Sequence, residues 1–110
     1  MNYHDYKNCI NACLQCVAIS SHCASMDLTE KDLAMMSRCI QLDMECTAIC
    51  EATAKILSLG SESAKAICKL CADICKQCAD ECSKHNTEHC KECAEACRKC
   101  MVECDKISKM

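Results

Sequence analysis

A chain of 110 residues with net charge −3, no Pro, no Phe, no Trp and a single Gly, Gly60, has the length of one domain and almost nothing with which to break helices or build β-turns. Its Lys, Arg, Asp and Glu are interspersed rather than clustered, and Tyr3 and Tyr6 are its only aromatics, so neither a nucleic-acid partner nor a membrane partner is expected. What it holds in excess is cysteine, 17 residues in all.

The first element is expected from about Tyr3 to Met26. Cys9, Cys13, Cys16 and Cys23 follow one another at steps of three, four and seven, which is the step of one helix face, and Ser20 takes the slot between the last two. Asp27-Leu28-Thr29 breaks the pattern. Thr29, with Asp32 three positions later, reads as the N-cap of a second helix over about Glu30 to Leu57. Cys39, Cys46 and Cys50 stripe that helix, with Leu42 in the remaining slot.

Gly60 stands where a left-handed residue would close the second helix, and Ser61 where a cap would open the third. The third runs from about Glu62 to Lys84 and carries Cys68, Cys71, Cys75, Cys78 and Cys82. His85-Asn86-Thr87 forms the last turn, with Asn86 or Thr87 as N-cap. The fourth helix, about Thr87 to Ser108, carries Cys90, Cys93, Cys97, Cys100 and Cys104. The last two helices are an internal repeat: CKLCADICKQCADEC aligns with CKECAEACRKCMVEC at every cysteine, and also at Lys69/Lys91, Ala72/Ala94 and Glu81/Glu103. Turns this short force antiparallel neighbours, so the expected fold is all-α, an up-down-up-down four-helix bundle roughly 33 Å long at ~1.5 Å per residue. Its core is lined by thiols where Leu and Ile would normally stand.

The N-terminal residues lack a charged-then-apolar signal pattern, and no apolar run approaches membrane-spanning length, so a cytoplasmic protein is expected. Thiols stay reduced there, and dense cysteine then favours metal over disulfides. On a helix, residues four apart project side by side. The pairs Cys9/Cys13, Cys46/Cys50, Cys71/Cys75, Cys78/Cys82, Cys93/Cys97 and Cys100/Cys104 can therefore each grip an ion between two sulfurs.

Soft thiolates select Cu(I), Zn(II) or iron–sulfur clusters. Cu(I) cancels one buried thiolate per ion and accepts two or three sulfurs, which suits continuous ladders. Zinc wants four tetrahedral ligands, so 17 thiols overshoot it. Iron–sulfur proteins place C-x₂-C-x₂-C on a loop, a run this chain lacks. A redox Cys-x-x-Cys enzyme would need a strand before its helix, and none is visible. Inert cysteines would explain one or two core positions but not four stripes. Storage of many Cu(I) ions without catalysis is the leading reading. A zinc-buffering, metallothionein-like protein and an iron–sulfur electron-transfer protein stand as alternatives.

Antiparallel packing puts Met26, Met35, His85 and His89 at one end. There they extend the stripes with softer, weaker ligands, as a mouth leading to the thiol interior. His22 lies off the main face, His4 is expected in solvent, and Met44 and Met101 are expected to pack.

The paired ladders Cys68–Cys82 and Cys90–Cys104, the segment Arg38-Cys39-Ile40-Gln41-Leu42-Asp43-Met44-Glu45-Cys46 and the histidine-bearing turn before Cys90 together resemble the copper storage protein family, in its cytosolic branch without a signal peptide. The resemblance covers essentially the whole chain. It implies a cysteine-lined bundle that stores many Cu(I) ions, a folded metal-free form, and a homotetramer.

Overall fold

The structure, a computed structural model, describes residues 3–110. Four helices follow one another: α1 (Tyr3–Asp27), α2 (Leu33–Ser58), α3 (Ala64–Cys82) and α4 (Glu88–Ser108). Among the described residues there is no strand. Each helix packs on its two neighbours in the cycle α1–α2–α3–α4–α1, and the pairs α1–α2 and α3–α4 share the larger contacts. This is the expected up-down-up-down bundle, in a molecule of 47 × 19 × 18 Å.

The helix ends show where local chemistry departs from the expectation. Leu28, Thr29 and Glu30 donate backbone hydrogen bonds to the carbonyls of Ala24, Met26 and Asp27, so these residues finish α1 rather than start α2. The Thr29 hydroxyl is likewise spent on the Met26 carbonyl, at 2.6 Å. The N-cap of α2 is therefore Asp32, whose Oδ1 accepts from the Met35 backbone at 3.1 Å. α2 closes as a Schellman motif. Gly60 adopts φ 65°, its N–H bonds the Leu57 carbonyl, and the Ser61 N–H reaches back to Ile56. Ser61 receives the Ser63 N–H at 3.0 Å and α3 starts two residues later than expected, at Ala64. Thr87 caps α4 by accepting from the Cys90 backbone at 3.3 Å.

Every one of the 17 cysteines is free, buried and at most 2% exposed. At one end the thiol column is plugged by hydrocarbon from all four helices: Tyr6, Ile10, Leu57, Ala64 and Ile107. Alanines at 72, 79, 94 and 96 flank the sulfurs and let the backbones approach closely.

Against expectation, α1 is long and apolar enough by length and composition to cross a membrane, with mean hydropathy 1.2 over its most apolar window. Its cysteines all face the bundle interior.

A thiol core acting as a hydrophobic core should hold the bundle together before any metal arrives. Circular dichroism of the reduced, metal-free chain is expected to show a strongly helical spectrum. A coil that becomes helical only on metal addition, as in a zinc finger, would refute this.

Candidate metal centre

The i,i+4 pairs read from the sequence are present on three of the helices: Cys46/Cys50 at 3.9 Å, Cys71/Cys75 at 4.0 Å, Cys78/Cys82 at 3.9 Å, Cys93/Cys97 at 4.0 Å and Cys100/Cys104 at 3.9 Å. The tightest contacts, however, cross between helices. Cys16 lies 3.4 Å from Cys46, Cys9 3.5 Å from Cys104, Cys39 3.5 Å from Cys82 and Cys13 3.6 Å from Cys100. Cys46 adds Cys75 and Cys97, each at 3.7 Å, and Cys50 adds Cys71 and Cys100, each at 3.8 Å. A trigonal d¹⁰ ion with metal–sulfur bonds of roughly 2.3 Å, the zinc–thiolate length, needs sulfurs about 4 Å apart. The network is already close to that spacing. Tetrads such as Cys16, Cys46, Cys50 and Cys75, or Cys13, Cys71, Cys100 and Cys104, gather their ligand atoms within 4.8 Å of one another. Neighbouring tetrads share members, so the sites form one column rather than separate cages.

Two carboxylates stand inside this column, and the sequence reading did not single them out. Asp43 is fully buried. Its Oδ1 accepts from Cys78 at 3.2 Å, Cys93 at 3.3 Å and Cys82 at 3.6 Å, and its Oδ2 from Cys39 at 3.9 Å. Asp27, also fully buried, accepts from Cys90 at 3.4 Å and Cys23 at 3.9 Å. The signal that finds them was available: each stands four residues after a stripe cysteine, Cys39 or Cys23. Ser20, in the gap of the first stripe, is equally buried, 3.6 Å from Cys16 and 3.7 Å from Cys93.

Of the four residues expected at the mouth, the two histidines are nearly enclosed and the two methionines are exposed. His89 Nε2 donates to Asp27 Oδ1 at 2.8 Å, with Thr87 Oγ1 at 3.3 Å and Glu30 Oε1 at 3.8 Å. His85 Nε2 donates to Glu81 Oε2 at 3.0 Å, and Glu81 also meets Lys84 and Arg38. Both imidazoles are tied down and nearly enclosed, unlike solvated turn residues. Met26 and Met35 are exposed instead of extending the stripes. Asp27 takes the inward position after Cys23, and Met36, three before Cys39, is the buried methionine of α2. Met44, expected to pack, is 64% exposed, whereas Met101 does lie against the core. His22 and His4 are exposed, as expected.

Burial sets the electrostatics. Desolvation, and next the Cys93 sulfur beside it, pushes the Asp43 carboxyl up to about 9. Desolvation likewise raises the Cys90 thiol to about 12, with Asp27 adding to it. Glu81 goes the other way. Burial opposes its ionisation, but hydrogen bonds from His85 and Lys84 hold it below its ordinary value. Without metal, burial therefore favours the protonated, neutral form of Asp43 and Cys90.

This has a consequence for stability. Folded Asp43 keeps a proton that the unfolded chain releases above its ordinary value of 3.8. The metal-free protein should therefore lose stability as pH rises towards 9, by at most about 1.4 kcal/mol per pH unit. The thermal midpoint of the reduced, metal-free chain is expected to be higher at pH 5 than at pH 8, and Asp43→Asn should flatten that slope. A midpoint that climbs from pH 5 to pH 8 would contradict the assignment.

A family model for copper storage proteins matches residues 2–109. The cysteine-rich protein YhjQ of Bacillus subtilis, itself described as uncharacterized, is 44% identical over 81 residues, which span 74% of this chain and 75% of that one. The Cu(I)-bound copper storage protein BsCsp3 shares 40% identity with a TM-score of 0.90, over 94% of this chain and 98% of its own. A cytosolic copper storage protein from Streptomyces lividans, solved while loading with five coppers, shares 36% identity with a TM-score of 0.94, over 98% of this chain and 95% of its own. With the family model spanning nearly its whole length and its thiols gathered in one buried column, the chain belongs to the copper storage protein family.

Proposed function

We propose that this protein takes up Cu(I) through the mouth formed by His85 and His89 and holds many ions along its thiol column, as a cytosolic store without catalysis. All of the cysteines from Cys9 to Cys104 serve as ligands in this reading. The observation that carries it is the continuity of the column, in which thiols of all four helices lie 3.4 to 4.0 Å from their neighbours. A filled column approaches neutrality at about one Cu(I) per thiolate, which removes the penalty for burying so many charges. Discrete zinc sites would leave most of these sulfurs unused, and an iron–sulfur cluster would need a loop where regular helix stands. The relatives support the same cargo. Assembly as a homotetramer belongs to this proposal too and rests on the family resemblance.

Anaerobic titration of the reduced chain with Cu(I) tests the capacity. More than about ten ions per chain is the expected result for a column of this size, and about four or fewer would favour discrete tetrahedral sites. Cu(I) should also displace Zn(II) completely, while Zn(II) leaves bound Cu(I) in place.

The mouth makes a separate prediction. Replacing His85 and His89 together by Ala should slow Cu(I) uptake or cost a few outer ions while leaving most of the tight binding intact. Identical filling rate and extent in the double variant and the parent would remove the histidines from the pathway.

A further inference from the structure

The mouth and the interior offer copper two different kinds of donor. At the mouth stand nitrogen and oxygen. The His89 imidazole lies 2.8 Å from Asp27 and 3.8 Å from Glu30. Imidazole and carboxylate in combination suit Cu(II), whereas thiolate suits Cu(I). Immediately inside, Asp27, Cys23, Cys39 and Cys90 have their ligand atoms within 4.8 Å of one another. Cys39 in turn lies 3.5 Å from Cys82 of the facing helix, and both thiols point at the same carboxylate, Asp43. A cupric ion held by His89 and Asp27 would therefore sit next to a thiol that already has a partner within reach of a disulfide.

We propose that the metal-free protein also accepts Cu(II), reducing it at the mouth at the expense of the Cys39–Cys82 pair. This rests on the storage reading, because the Cu(I) produced is the ion the column holds. In the balanced step two Cu(II) ions each take one electron, in succession. The S–H bonds of Cys39 and Cys82 break, one S–S bond forms, two Cu(I) ions result and two protons leave to solvent. The sulfurs are oxidised and the copper is reduced, so no other oxidant enters. The two sulfurs, at 3.5 Å, are already in van der Waals contact, and the disulfide brings them to about 2.05 Å. The two Cu(I) ions then pass to the remaining thiols, and the column gives up two of its ligands in the exchange.

Choice of pair separates this from indiscriminate thiol oxidation. Cys16 and Cys46 are closer, at 3.4 Å, but they lie mid-column with no imidazole beside them. If proximity alone governed the reaction, that pair would oxidise first. If a nitrogen–oxygen site delivers the cupric ion, Cys39–Cys82 goes first.

The test uses the full chain, reduced, metal-free and anaerobic, with two equivalents of a Cu(II) salt. The expected result is loss of the Cu(II) paramagnetic signal and one Cu(I) recovered per copper added. Two thiols should be lost per chain, with a Cys39–Cys82 disulfide in non-reducing peptide maps. A persistent Cu(II) signal would overturn the proposal, as would a first disulfide at Cys16–Cys46 or between chains. In Cys39→Ser the reduction should slow by about tenfold or more, and circular dichroism reports whether that variant is folded. If it is not folded, the peptide map of the parent decides. Cu(I) titration of the same parent sample keeps the two claims apart. Failure to bind Cu(I) would sink the storage reading, whereas full Cu(I) binding with unreacted Cu(II) would sink only this one.

Discussion

Everything in this bundle depends on the double character of the buried thiol. Protonated, a cysteine side chain is a small hydrophobe and packs as Ala or Val would. Deprotonated, it is a soft ligand that no low-dielectric core can hold without a cation beside it. In the proposed reading the same 17 side chains build the core of the empty protein and coordinate the cargo of the full one. The hydrocarbon plug of Tyr6, Ile10, Leu57 and Ile107 at one end supplies packing that does not change with loading. Beyond that plug the column belongs almost wholly to sulfur, and its stability is tied to the protonation and metallation of its thiols.

The carboxylates inside the column are two, and they sit towards the mouth. Asp43 bridges Cys78, Cys82 and Cys93, and Asp27 bridges Cys90 and His89. Each carboxylate is fully buried, and each is satisfied by hydrogen bonds. The deeper layers around Cys13, Cys50, Cys71 and Cys100 contain no carboxylate in their ligand groups. The column thus grades from oxygen and nitrogen at the entrance, through mixed sulfur and oxygen, to sulfur alone. Hardness falls in the same direction. On the proposed route, an ion moving inward would meet progressively softer donors, and each successive site would hold Cu(I) more tightly without any moving part in the fold.

The outer surface is ordinary by comparison. Its ion pairs, such as Lys76–Asp80 and Lys109–Asp105, are exposed i,i+4 contacts that contribute at most a few tenths of a kcal/mol. The better-enclosed Glu81 cluster differs. It gathers Arg38 of α2 together with Lys84 and His85 beyond the end of α3, so it fastens the mouth while fixing one of its imidazoles.

The number of helices, their order and the inward face of each were legible in the sequence, because a step of three and four is a property of the helix alone. So was the identity of the donors, since a stripe of cysteine can hardly be read as anything but sulfur facing a common axis. Gly60 marked its helix end for an equally local reason, a left-handed φ, whereas Asn86 and Thr87 were both competent caps for α4 and the structure selects Thr87. The start of α2 was not legible, because Thr29 and Asp32 are both competent caps and only the backbone bonds of Leu28–Glu30 decide between them. The inward turn of Met36 over Met35, and of Asp27 over Met26, was ambiguous for a similar reason: steps of three and four are equally helical, and packing against neighbouring helices selects one. Above all, the sequence displayed pairs along a helix, at 3.9 to 4.0 Å, whereas the tertiary structure made the closer pairs across helices, at 3.4 to 3.6 Å. Which sulfurs share an ion is set by the axial register of antiparallel helices, and that register comes from side-chain packing between helices, which no single helix encodes.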